Sequence, residues 1–329
     1  MFQGITNQIT AAQIEIHRQE VLRRYAEMLE KNQKLELRKQ KKTETAFKKI
    51  SFPGFDVEYL KQLPGLKSFF FAVFEKQENE KDKNRSEFIE KYLVLKKIPL
   101  VSDFFGAEYE RIIPDIKPTK EFGNLQRLVK KIKTATIDKY YYQEVFTMIQ
   151  FLEKSAKLHA RKQELDHAIE MGKMAREDLK QVVNNLKMED NWGSWELFFS
   201  VKTDAESIPF SGIDFAYKYL PLADAKAQAF SMLASPFFDN RDMKLHSKNL
   251  DGFLELFIHN IIYDWLVESR VRTTLSKGNQ VLSSVNMIIY GLERLRDQNN
   301  SELSLMEIER DTRIAKTEAY VRQKLDEKF

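Results

Sequence analysis

From Asn124 to Met188 the chain contains no proline and a single glycine, Gly172, which sits inside the apolar pattern and not at its end. No turn cluster interrupts that stretch, so the spacing predicts one helix of roughly 60 residues, about 90 Å long at 1.5 Å per residue. Within it Leu165, Ala168, Gly172, Ala175, Leu179, Val182 and Leu186 alternate by three and four, and Phe151 and Leu158 extend the seam backward. Apolar residues repeating in this way call for a second helix to cover them. Three of the seven seam residues are Ala or Gly, which allows close approach. The expectation is a tight antiparallel coiled-coil pair.

The flanking regions extend the same theme. Residues 1–50 read as a long N-terminal helix whose first half is amphipathic, with Ile14, Val21, Leu22, Tyr25, Met28 and Leu29 at helical spacing. Between Lys31 and Lys49 the apolar stripe thins to Leu35, Leu37, Ala46 and Phe47, while eight Lys or Arg face two Glu. Residues 51–123 read as a short-element aromatic head, punctuated by Pro64-Gly65, Pro99, Gly106, Pro114 and Pro118. The long helix spans 124–190. A second short-element region, 191–250, carries Trp192 and Trp195 and several Pro and Phe residues. Residues 251–329 read as C-terminal helices packing back on the bundle, with a turn at Ser276-Lys277-Gly278-Asn279 and a looser pattern beyond Ile308. Only 11 Gly and 8 Pro in 329 residues fit this all-α reading. The predicted fold is an elongated bundle of long amphipathic helices with small helical heads.

Function classes can be narrowed by what the residues lack. With no cysteine there are no disulfides, thiolate zinc sites or Cys nucleophile, and a cytoplasmic setting is the expectation. The first residues, Met1 to Thr6, show no secretory pattern. Phosphate-cradling and nucleophile-elbow motifs are missing, and the five histidines form no His-Glu-x-x-His motif. Glu164 and His167 share a helical face as di-metal bundle sites require, but no second Glu-x-x-His accompanies them. No catalytic, cofactor-binding or metal residues are therefore assigned, and no cofactor or small-molecule substrate is expected.

Binding surfaces are the better candidates. Basic and acidic residues nearly cancel at 53 against 49, so any anion contact must be local. Arg38, Lys39, Lys41 and Lys42 form the candidate anionic-surface contact, although no aromatics interleave with them as base stacking would need. Nucleic acid is disfavoured. The resulting expectation is a non-enzymatic helical scaffold acting through self-association or a heterologous protein partner. A membrane-active protein exposing the apolar segment Phe253 to Val267 is the alternative, and an enzyme with a site dispersed in sequence is a weaker one. The Phe253 to Val267 segment carries Glu255, His259, Asn260 and Asp264, which breaks the run of about 20 apolar residues a membrane span needs.

Overall fold

The computed structural model describes residues 2–49, 82–140, 143–190, 211–237 and 271–327. Among these residues the fold is all-α, a bundle of long helices without strands. The helices are α1 (Phe2–Lys49), α2 (Asp82–Ile112), α3 (Thr119–Tyr140), α4 (Gln143–Asp190), α5 (Ser211–Ala234) and α6 (Val271–Asp326). Two 3-10 turns, Ile113–Asp115 and Ser235–Phe237, follow α2 and α5.

Several elements differ from the sequence expectation, each for a physical reason. The single helix expected over 124–188 is two helices. Lys133 of α3 is ion-paired with Glu153 of α4, two positions that one continuous helix would hold about 30 Å apart at 1.5 Å per residue. The chain doubles back between α3 and α4 although no Gly or Pro stands there. Conversely, residues read as punctuation lie inside helices. Pro99 and Gly106 fall within the 31 residues of α2, because Ile98, Val101, Ser102 and Phe105 form a buried stripe across both. Tertiary burial of such a face outweighs the ~3 kcal/mol helix penalty of an interior proline. Pro221 likewise lies within α5, a helix buried almost all round through Leu220, Ala223, Ala225, Ala227, Ala229 and Phe230. The turn expected at Ser276 to Asn279 is helical and belongs to α6, where Gly278 is buried and the Asn279 side chain donates to the Leu275 carbonyl.

The chain divides into two compact units, each gathered from separated segments. Unit 1 comprises Met1–Met28, Tyr109–Ile169 and Tyr290–Phe329. Here α4 and α6 pack in opposite directions. Val145, Met148, Ile149 and Leu152 cluster with Ile314 and Val321, and Leu158 with Leu303 and Met306. Further along, the Asn299 amide donates to the Leu158 carbonyl at 2.9 Å and Arg296 lies 3.7 Å from Asp166. As the α4 number rises, its α6 partner falls.

Unit 2 comprises Leu29–Glu108 and Glu170–Ile289. There α1 and α2 are antiparallel: Gln33 meets Gly106, and Phe47 packs on Tyr92 at 6.5 Å between ring centroids. Helices α4 and α5 are antiparallel too, with Gly172 against Phe230 and Asp178 ion-paired with Lys226 at 2.7 Å.

Candidate interaction surfaces

The outer face of α6 is built by helical periodicity. Leu303, Met306, Ile314 and Val321 are buried and face α4. At 100° per residue, Leu305, Ile308, Thr312, Ala315 and Ala319 cluster on the diametrically opposite face, and all five are exposed. Leu305 and Ile308 are 68% and 76% exposed, the two most open large apolar side chains among the described residues. Single exposed leucines are ordinary, but a stripe of five nonpolar or weakly polar positions at three-four spacing is a second seam that nothing covers among the described residues. Asp311 flanks it on one side and Lys316 on the other. Beyond Ala319 the same face turns polar, with Arg322, Gln323, Asp326 and Glu327.

The basic stretch of α1 forms a second surface. Arg38, Lys39, Lys41 and Lys42 are all exposed. Lys39 is bound at 2.7 Å to Glu36, whereas Arg38, Lys41 and Lys42 make no ion pair among the described residues. The leucines read as the thinning apolar stripe point outward: Leu35 and Leu37 are exposed and Glu36 between them is buried. The inner stripe of α1 is Tyr25, Leu29, Glu36 and Phe47, positions that a 3.6-residue period brings to one face and from which Leu35 and Leu37 diverge by about 100°. Glu36 occupies an apolar position and is neutralised by Lys39.

A polar clamp in unit 1 went unseen in the sequence. Gln19, wholly buried, donates from Nε2 to the Asp115 carbonyl at 2.9 Å and accepts the Lys117 backbone N–H at 2.8 Å. Arg23 donates to the Lys117 carbonyl and stacks over Phe122, and Lys117 reaches Glu15 at 3.2 Å. Burial pushes the Glu15 carboxyl up, but hydrogen bonds from Lys117 and Gln19 and the charges of Lys117 and Arg18 outweigh it and hold the group below its usual range. The clamp serves the α2–α3 connection, where the Asp115 carbonyl and the Lys117 N–H and carbonyl are bonded by side chains of α1.

Of the remaining expected positions, Leu165, Ala168, Gly172, Ala175, Leu179 and Val182 are all buried, while the side chain of Leu186 lies outside the described residues. At Gly172 the neighbours come from two helices, Phe230 of α5 and Ile289 of α6. Glu164 and His167 both engage α1: Glu164 binds Arg24 at 3.1 Å, and the His167 ring meets Tyr25 edge-on at 5.2 Å. Burial raises the Glu164 pKa, against the opposing charges of Arg24, Arg161 and His17. Among the described residues no three His, Asp or Glu are grouped to hold a metal, and no helix is long and apolar enough to cross a membrane. Trp192, Trp195, Trp265 and the segment Phe253 to Val267 lie outside the described residues. In comparisons with known proteins, no family model, curated protein or solved structure matches the chain.

Proposed function

We propose that this chain is a non-enzymatic helical interaction protein that binds another protein surface, its own or a heterologous one, through the outer face of α6. The observation that carries the reading is the pair Leu305 and Ile308, directly opposite the buried stripe of the same helix and exposed to 68% and 76%. Leaving two large aliphatic side chains in water, each with about 1.5–3 kcal/mol to gain on full burial, is the feature a docking helix shares with half of a buried interface. A second helix laid along the stripe covers both residues at once, since positions three and four apart share one face.

The test is the double substitution Leu305→Glu with Ile308→Glu, at positions exposed enough to leave the helical circular dichroism unchanged. Wild-type and variant chains are compared by light scattering over a concentration series and by capture from native extract. Loss of association in the variant supports the reading. A wild type that stays monomeric at every concentration, with a captured set that the substitutions do not alter, overturns it.

A further inference from the structure

We infer that the occupant of the outer α6 stripe is the same stripe of a second copy, laid parallel to the first. This rests on the interaction reading above and names its partner. The stripe Leu305, Ile308, Thr312, Ala315, Ala319 advances by three and four residues in strict alternation, so it follows a heptad in which Leu305, Thr312 and Ala319 hold one seam position and Ile308 and Ala315 the other. A seam of that period is complementary to another helix.

The flanking charges select which helix and which direction. Along one edge of the stripe run Ser304, Asp311 and Glu318; along the other run Glu309, Lys316 and Gln323. In a parallel pair each residue of the first edge faces the residue five positions later on the second edge of the partner, and such flanking charges set partner and orientation. Asp311 then faces Lys316 of the other copy, twice by symmetry. Ser304 faces Glu309 and Glu318 faces Gln323, with no like charges opposed. In an antiparallel pair the first edges face each other, which sets Asp311 and Glu318 of one copy against the same acids of the other. Lys316 is exposed and makes no ion pair among the described residues, and Asp311 is bonded only to its neighbour Arg310, at 3.2 Å. Both are open to a partner. The small residues Thr312, Ala315 and Ala319 allow close helix approach beyond the two aliphatic anchors.

Five seam positions are few beside the roughly 20–30 residues a side of a standard stable interface, so the dimer forms and dissociates with concentration. The natural absence of cysteine makes the test clean. Ile308→Cys and Ala315→Cys are made separately in the full chain, and each is exposed to mild oxidant under conditions where light scattering reports dimer. Parallel pairing brings each cysteine to its own copy, so both variants give covalent dimers. An antiparallel pair brings at most one of these positions to itself, so cross-linking of only one overturns the assigned direction. Asp311→Lys alone raises the dissociation constant at least several-fold, and adding Lys316→Asp restores it; an unchanged constant in the single variant overturns the charge argument. Should the wild type remain monomeric while the Leu305→Glu, Ile308→Glu variant loses a heterologous protein from extract, the second copy is refuted and the interaction reading stands.

Discussion

Gly172 offers a test of packing in which one substitution is read against itself at another site. A methyl group built on Gly172 falls 2.6 Å from Cε2 and 2.9 Å from Cζ of Phe230, and 2.9 Å from Cγ1 of Ile289. Favourable carbon contacts lie near 3.5–4.0 Å, so the overlap is roughly 1 Å against two side chains at once. Phe230 is fully buried and Ile289 nearly so, which leaves neither ring nor branch a direction in which to yield. Such overpacking costs about 1–3 kcal/mol. Against it, Gly to Ala in a helix interior gains about 1 kcal/mol from propensity. Gly172→Ala is therefore expected to be destabilising by about 0–2 kcal/mol.

The matched control is Gly123→Ala in α3, where nothing lies within 4 Å of the added methyl, so only the propensity gain remains. The gap between the two variants, about 1–3 kcal/mol, isolates the steric cost because propensity cancels. Urea unfolding followed by circular dichroism measures both. Pairing Gly172→Ala with Phe230→Leu checks the cause, since the smaller side chain removes the ring edge and the coupling between the two changes should favour the double variant. If Gly172→Ala stabilises the chain as Gly123→Ala does, Phe230 is not held against the α4 backbone and the argument fails.

Three further outcomes are expected. Lys97→Ala leaves Asp224, 2% exposed and ion-paired with Lys97 at 2.5 Å, as an uncompensated buried charge, and should cost about 3–5 kcal/mol by urea midpoint, whereas replacing both partners by apolar residues should recover most of it. Gln19→Ala removes the hydrogen bonds to the Asp115 carbonyl and from the Lys117 N–H, both at the protein surface; at about 0.5–1.5 kcal/mol net per bond, the loss should appear as faster amide exchange at Lys117 as well as lower stability. Glu164→Gln should stabilise the chain at pH 7, since a carboxyl whose folded pKa is raised contributes stability that is present below its unfolded pKa and lost as pH rises through the folded one. Thermal melts over pH 3 to 8 should show that advantage vanishing in acid, and an advantage independent of pH would refute the assigned cause.

What was legible in the sequence was the class of structure and the faces of its strongest helices. The stripe from Leu165 to Val182 could be read because local periodicity and burial agree there. The division of 124–188 into α3 and α4 could not be read from breakers, since the sequence from Ile137 to Gln143 contains no Gly, Pro or Asn. Pro99, Gly106, Pro221 and Gly278 misled in the opposite sense. Each is a poor helix former by local propensity, and each lies in a helix whose buried neighbours decide the conformation. The Gln19 clamp has no signature because its partners lie nearly a hundred residues away.

The C-terminal helix shows why a candidate surface can hide in a pattern. Beyond Ile308 the apolar residues read as a loosening stripe, as if one seam were fading into solvent. In α6 two stripes overlap in sequence, the inner one through Leu303, Met306, Ile314 and Val321 and the outer one through Leu305, Ile308, Ala315 and Ala319. Their sum has no single phase, because apolar residues half a turn apart cancel in any measure of one-sidedness. A weak amphipathic signal has two physical origins, too little apolar surface or apolar surface on two faces. Burial separates them here: the inner stripe is covered by α4, and the outer one keeps its two largest side chains in water. A helix with its inner face already covered gains nothing within unit 1 from a second apolar face, so the outer stripe is the part of α6 left for the association proposed above.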